Sequence, residues 1–191
     1  MKKIFIITIV VLGATALIFF LVKFFGQGYL SELIGQNTIQ KNKTTYLQKE
    51  KLLNQKVPFF DLVSTGDNRI KLSQFIDKPF VVIFWASWNT ESINQLKIVD
   101  EYNSSRALAD KIVPVVLINS LEDLNVAKSF IRRGGYNINT AIDTKGDITE
   151  SFNIKSLPTA FFIDKSGIIK EIYTGVLSKG IFVDKIEQLL Q

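Results

Sequence analysis

The sequence predicts an α/β domain built on a mixed sheet, and three observations predict it. Residues 80–85 and 113–118 are apolar runs with the length of strands buried on both faces. A helical stripe follows each run: Ile93, Leu96, Val99 and Tyr102 within residues 90–107, then Leu121, Leu124, Ala127, Phe130 and Ile131. Two later segments, 160–163 and 168–173, flank Asp164-Lys165-Ser166-Gly167, a hairpin turn whose glycine supplies a positive φ. Early strands joined through helices and a late antiparallel pair make the sheet mixed, with helices against it.

The remaining elements follow in order. Residues 59–62 and 70–72 are short apolar pieces joined by Ser64-Thr65-Gly66-Asp67-Asn68, an amino-terminal hairpin. The second helix closes on Arg132-Arg133-Gly134-Gly135, with basic residues in its last turn and glycine beyond. The last helix opens near Ser178 and carries Ile181, Phe182, Ile186, Leu189 and Leu190. The predicted order over residues 57–191 is hairpin, β, α, β, α, β-hairpin, α.

Ahead of this domain lies a different kind of segment. Residues 4–22 contain no charge, and 14 of the 19 are Ile, Leu, Val or Phe. A helix of that length spans about 28 Å, the thickness of a bilayer's hydrocarbon. Lys2, Lys3 and the amino terminus precede the span and only Lys23 closely follows it, so the positive-inside bias puts the amino terminus in the cytoplasm. Ala14-Thr15-Ala16 has the small-x-small form of a signal-peptidase site. Residues 17–22 stay apolar beyond it, which favours an uncleaved anchor over residues 1–25. Residues 26–56 are polar and irregular, a juxtamembrane linker in which Thr45 and Gln48 form a potential capping box.

Composition narrows the chemistry. With 47% apolar and 21% charged residues, the 191-residue chain builds a packed core rather than a disordered coil. Cysteine and histidine are both absent. That excludes a disulfide framework, a Cys/His zinc site, a thiolate nucleophile, the usual haem and iron–sulfur ligands and a Ser-His-Asp triad. No cofactor is implied. Residues 26–191 carry 20 basic and 18 acidic residues with no long basic run, which argues against a nucleic-acid surface. Asp143, Asp147 and Glu150 lack the ligand spacing of a calcium loop, so no metal is expected. Lys155 and Ser156 are neighbours whose side chains diverge on an extended chain, and no Ser–Lys pair is expected.

Several motifs agree in order and spacing with one family. Phe84-Trp85-Ala86-Ser87-Trp88 resembles the strand-to-helix corner of thioredoxin-like proteins, where Trp-Ala-x-Trp runs into Cys-x-x-Cys. Leu157-Pro158-Thr159-Ala160-Phe161-Phe162-Ile163-Asp164 resembles the cis-proline loop and following strand of that fold. Val57-Pro58-Phe59-Phe60-Asp61-Leu62 and Ile70-Lys71-Leu72-Ser73-Gln74-Phe75 resemble the added hairpin of the redoxin (AhpC/TSA-type) branch. With the amino-terminal anchor, the chain is similar to the TlpA/ResA-like group of membrane-tethered extracytoplasmic thiol–disulfide proteins. The resemblance covers about residues 57–190 and implies a thioredoxin-like fold, bacterial-type envelope localisation and a single membrane pass.

The catalytic set that the resemblance implies is missing. Asn89-Thr90-Glu91-Ser92 stands where the family has Cys-x-x-Cys, Gln95 where ResA-like members carry a buried Glu, and Ile83 where thioredoxins keep a buried Asp. Disulfide exchange needs a thiolate to attack and a second sulfur to resolve, and neither an amide nor an unactivated alcohol replaces them. Read as structure, Asn89 is a good N-cap and Glu91 complements the helix dipole. Read as function, the corner of Trp88, Asn89, Thr90, Leu157 and Pro158 is a polypeptide-docking surface, since in the family the residue before the proline offers its backbone to an extended substrate. The expected protein is a membrane-anchored, redox-inactive thioredoxin-like domain that binds a polypeptide partner in envelope folding or assembly and is no enzyme. Two alternatives stay open: an accessory subunit of a membrane complex held by residues 4–22, and a thiol–disulfide oxidoreductase acting without its own cysteines.

Overall fold

The computed structural model describes residues 51–106 and 112–191, together with Lys23. The expected span at residues 4–22, most of the linker and the Thr45/Gln48 box lie outside the described residues. Among the described residues no helix is long and apolar enough to cross a membrane. Contacts divide the chain into two units between Thr44 and Thr45, and the α/β fold belongs to the second.

The first strands among the described residues form a short antiparallel hairpin, β1 (Asp61–Val63) and β2 (Arg69–Lys71), ending in a 3-10 turn at Leu72–Gln74. Then come β3 (Phe80–Trp85), α1 (Thr90–Arg106), β4 (Val115–Ser120), α2 (Leu124–Gly134), β5 (Thr140–Asp143), the one-turn α3 (Asp147–Ser151), β6 (Thr159–Ile163), β7 (Ile169–Thr174) and α4 (Lys179–Leu189). The five-stranded sheet runs β5-β4-β3-β6-β7. β5, β4 and β3 are parallel; β6 and β7 are antiparallel additions.

Period-two alternation in β3 explains why its sequence is apolar throughout. Phe80, Val82 and Phe84 point into one core with Phe60, Phe152 and Phe161. Val81, Ile83 and Trp85 point into the other with Leu96, Val99, Tyr102, Phe182 and Ile186. Trp85 satisfies its indole by donating to Thr140 Oγ1 at 2.9 Å, which ties β3 to β5 across β4. Ile83, where thioredoxins keep an acid, is wholly buried in this second core.

Several expectations are corrected. β5 and α3 are absent from the predicted order. β5 has only four residues, bounded by Thr140 and Asp143, too short and too polar at its ends to show a period. β4 begins two residues later than expected. Leu121 is no part of the second helical stripe: it precedes α2, has φ +61° and is 61% exposed. Ile181 and Leu190 are exposed, leaving Phe182 and Ile186 as the buried anchors of α4. Residues 51–56, assigned by sequence to the linker, join the folded body through buried Leu52 and a bridge from Lys56 to Ile168.

Both sheet edges are engaged. The β1–β2 turn caps β5 through a Ser64–Ala141 bridge, a Thr65 N–H bond to Thr140 O and three bonds on the Asn139 side chain. The start of β7 pairs with residues 54–57.

A strand-to-helix corner without a nucleophile

Register places the two expected segments, residues 88–90 and 157–158, at the same end of the sheet. Phe84 pairs with Thr159, so the turn leaving β3 and the residues entering β6 meet at one end of the two central strands. This is the carboxyl end of the parallel strands, where open α/β sheets place their ligand sites.

The residues of the corner differ in their surroundings. Asn89 is half-buried and caps α1: its Oδ1 accepts the Ser92 N–H at 2.7 Å, and its carbonyl accepts the Ile93 N–H at 3.1 Å. Glu91 lies exposed in the first turn, toward the positive end of the helix. Thr90 is exposed, and Trp88 is 66% exposed, unlike the buried Trp85. The Leu157–Pro158 peptide bond is cis. Pro158 is buried, and its carbonyl accepts the Gly175 N–H at 2.8 Å. Leu157 is half-buried against the first core, and its own N–H and C=O have no hydrogen-bond partner among the described residues.

Ser92 and Gln95 face inward from α1, at 0% and 1% exposure. Gln95 Oε1 accepts the Leu177 N–H at 2.8 Å and so fastens α1 to the loop before α4. Ser92 Oγ and Gln95 Nε2 are without partners among the described residues. The chain has no histidine and no thiol to serve here as base or nucleophile.

One feature of the corner was not legible in the sequence. Glu122, nearly buried, accepts the Ser87 N–H and the Asn119 Nδ2–H through Oε2, each at 2.7 Å, and the Ser87 hydroxyl through Oε1 at 2.6 Å. A lone Glu after a strand gives no signal until the adjacency of β3 and β4 is known.

The Asp143 carboxylate is occupied by the N–H groups of Ile148 and Thr149 and the Thr149 hydroxyl, while Asp147 and Glu150 are exposed. Among the described residues no three His, Cys, Asp or Glu converge as metal ligands. A groove of about 540 Å³ is lined by Thr65, Asn125, Lys128, Arg132 and Asn139. It opens at the entry to β5, the opposite end of the sheet from the corner, and its Lys128 is paired with Asp67.

The family model described as AhpC/TSA matches residues 53–172, which takes in the hairpin, the corner and the proline turn. The chain belongs to the AhpC/TSA family. The thiol-disulfide oxidoreductase ResA of Bacillus subtilis (strain 168) is 24% identical over 127 residues, covering 66% of this chain and 70% of that protein. A putative thiol:disulfide interchange protein DsbE from Chlorobium tepidum superposes with a TM-score of 0.64 at 23% identity, covering 71% of this chain and 96% of the other. The exposed lipoprotein thioredoxin Etrx1 from Streptococcus pneumoniae gives 0.61 at 24% identity, covering 69% and 99%. The fold is thioredoxin-like. Against that family background the absence of cysteine stands out, because the chemistry named for these relatives is exchange between sulfurs.

Proposed function

We propose that this protein is a membrane-anchored, extracytoplasmic and redox-inactive member of the family, and that it binds a polypeptide partner without covalent chemistry. The observation that carries this reading is Leu157. Its peptide N–H and C=O are unpaired among the described residues, at the same end of the central strands as the exposed Trp88. An extended segment laid against residue 157 satisfies both groups as an added strand does, and Trp88 offers a rigid amphipathic contact. Asn89 and Thr90 form the rim, and Pro158 sets the turn.

The anchor rests on residues 4–22 and their charge asymmetry, which leave residues 26–191 outside the cytoplasm. The Streptococcus pneumoniae neighbour, described as an exposed lipoprotein, supports an envelope setting. The partner is an envelope protein undergoing folding or assembly.

A photoreactive residue at position 88 or 157 of the full-length protein, expressed in native membranes, tests the reading. A specific adduct that is lost in Trp88→Ala is expected. Failure to capture any specific partner from either position removes the binding claim.

A further inference from the structure

We infer that Glu122 is the positioning residue of the docking corner, acting as a clamp on the turn that presents Trp88. The inference rests on the reading of that corner as a partner-binding surface.

The geometry is that of a grip rather than a single tie. Ser87 immediately precedes Trp88, and Glu122 takes both of its donors, the N–H at 2.7 Å and the hydroxyl at 2.6 Å. Two bonds to one residue fix its orientation as well as its place. Both end on the oxygens of one carboxyl group, one bond on each oxygen. A carboxylate this buried is costly unless its oxygens are bonded, so the donors from Ser87 and Asn119 are required, not incidental. Trp88 cannot orient itself by packing, since most of its surface is exposed. Besides the clamp, the turn's own backbone contributes the Asn89 N–H to Ala86 O bond, at 3.2 Å.

Glu122 is itself held from behind. Its carbonyl accepts the Thr144 hydroxyl at 3.2 Å, and the Leu121 N–H donates to Asp143 O at 3.0 Å. Leu121 sits in the left-handed region, which residues other than glycine rarely enter. Its side chain lies against Gly146, where a Cβ would come within 2.6 Å of Leu121 Cδ2. The loop after β5 thus fixes the 121–122 segment, and that segment fixes the corner.

The test measures amide hydrogen exchange in the full-length protein together with photocrosslinking from position 157. In Glu122→Ala, exchange at Ser87 rises at least tenfold while β3 and α1 amides stay within twofold, and adduct yield falls at least fivefold. Glu122→Gln keeps an acceptor oxygen for the Ser87 N–H and restores both readouts to within threefold of wild type. Should Glu122→Ala fail to fold, Ser87→Ala, which removes only the hydroxyl bond, gives a smaller local rise in exchange at residue 87. Unchanged exchange at Ser87, or a rise shared equally by β3 and α1, overturns the clamp. Wild-type protein that captures no partner overturns the docking reading instead, whereas the Ser87 exchange decides the clamp without any partner.

Discussion

At the scale of single residues, the positions that the family resemblance matches to catalytic groups do structural work here. Gln95 is the plainest case. A neutral amide in a site closed to water keeps its acceptor on the Leu177 N–H without burying a charge. Replacing it with Ala leaves that N–H buried and unpaired, at a cost of about 1–3 kcal/mol. Thermal melting of Gln95→Ala is expected to show a clear fall in Tm, and an unchanged Tm contradicts the assignment. Asn89 was readable as a cap from its residue type and position alone, and the bond to Ser92 N–H is the reason. Asn89→Ala is expected to lose about 1 kcal/mol, whereas Asn89→Asp keeps the acceptor and loses little. Glu122 and Leu121 were not readable. One depends on the adjacency of two strands, the other on a backbone conformation that apolar character misrepresents as a helical stripe.

Among the elements, legibility tracked burial. β3 lies between two cores and announces itself as six apolar residues, whereas β5 is short, sits near the edge and ends in side chains committed to polar bonds. The hairpin was visible in its turn residues, but its attachment to β5 was not. That attachment depends on Asn139, whose side chain accepts from Gly66 N–H and Thr65 Oγ1 and donates to Asn68. Asn139→Ala is expected to accelerate amide exchange in β1 and β2 while leaving β3 and β6 protected. The hairpin also carries a local pH response. The hydrogen bond from Arg69, with the charges of Arg69 and Lys71, holds the Asp61 carboxyl below the usual range. Because the folded value is the lower one, this contribution is present above the ordinary carboxylate range and is lost as pH falls through the folded value. A shift titration of Asp61 is expected to move back upward in Arg69→Ala. The pair is exposed, so global stability is expected to change little.

Over the described residues, a thioredoxin-like fold carries a corner that contains no sulfur. The fold was legible from the apolar runs, the turn glycines and the motifs at residues 84–88 and 157–164. At the candidate corner the sequence shows which of the family's groups are absent, but not how the residues standing there are bonded. If the scaffold still supports exchange geometry, restoring two thiols restores chemistry. The double variant Asn89→Cys/Ser92→Cys is expected to form an internal disulfide and reduce insulin above the blank, while the natural protein does not. Activity in the natural protein, which has no thiol of its own, contradicts the redox-inactive reading.

The central claim is that contact at the proline turn is the protein's work, and amide exchange at Leu157 in the full-length protein, measured alone and with its captured partner, tests it most directly. Rapid exchange in the free protein, slowed at least tenfold by the partner with the β5 edge unaffected, is the predicted result. Partner binding that leaves Leu157 exchange unchanged and protects a different surface contradicts it.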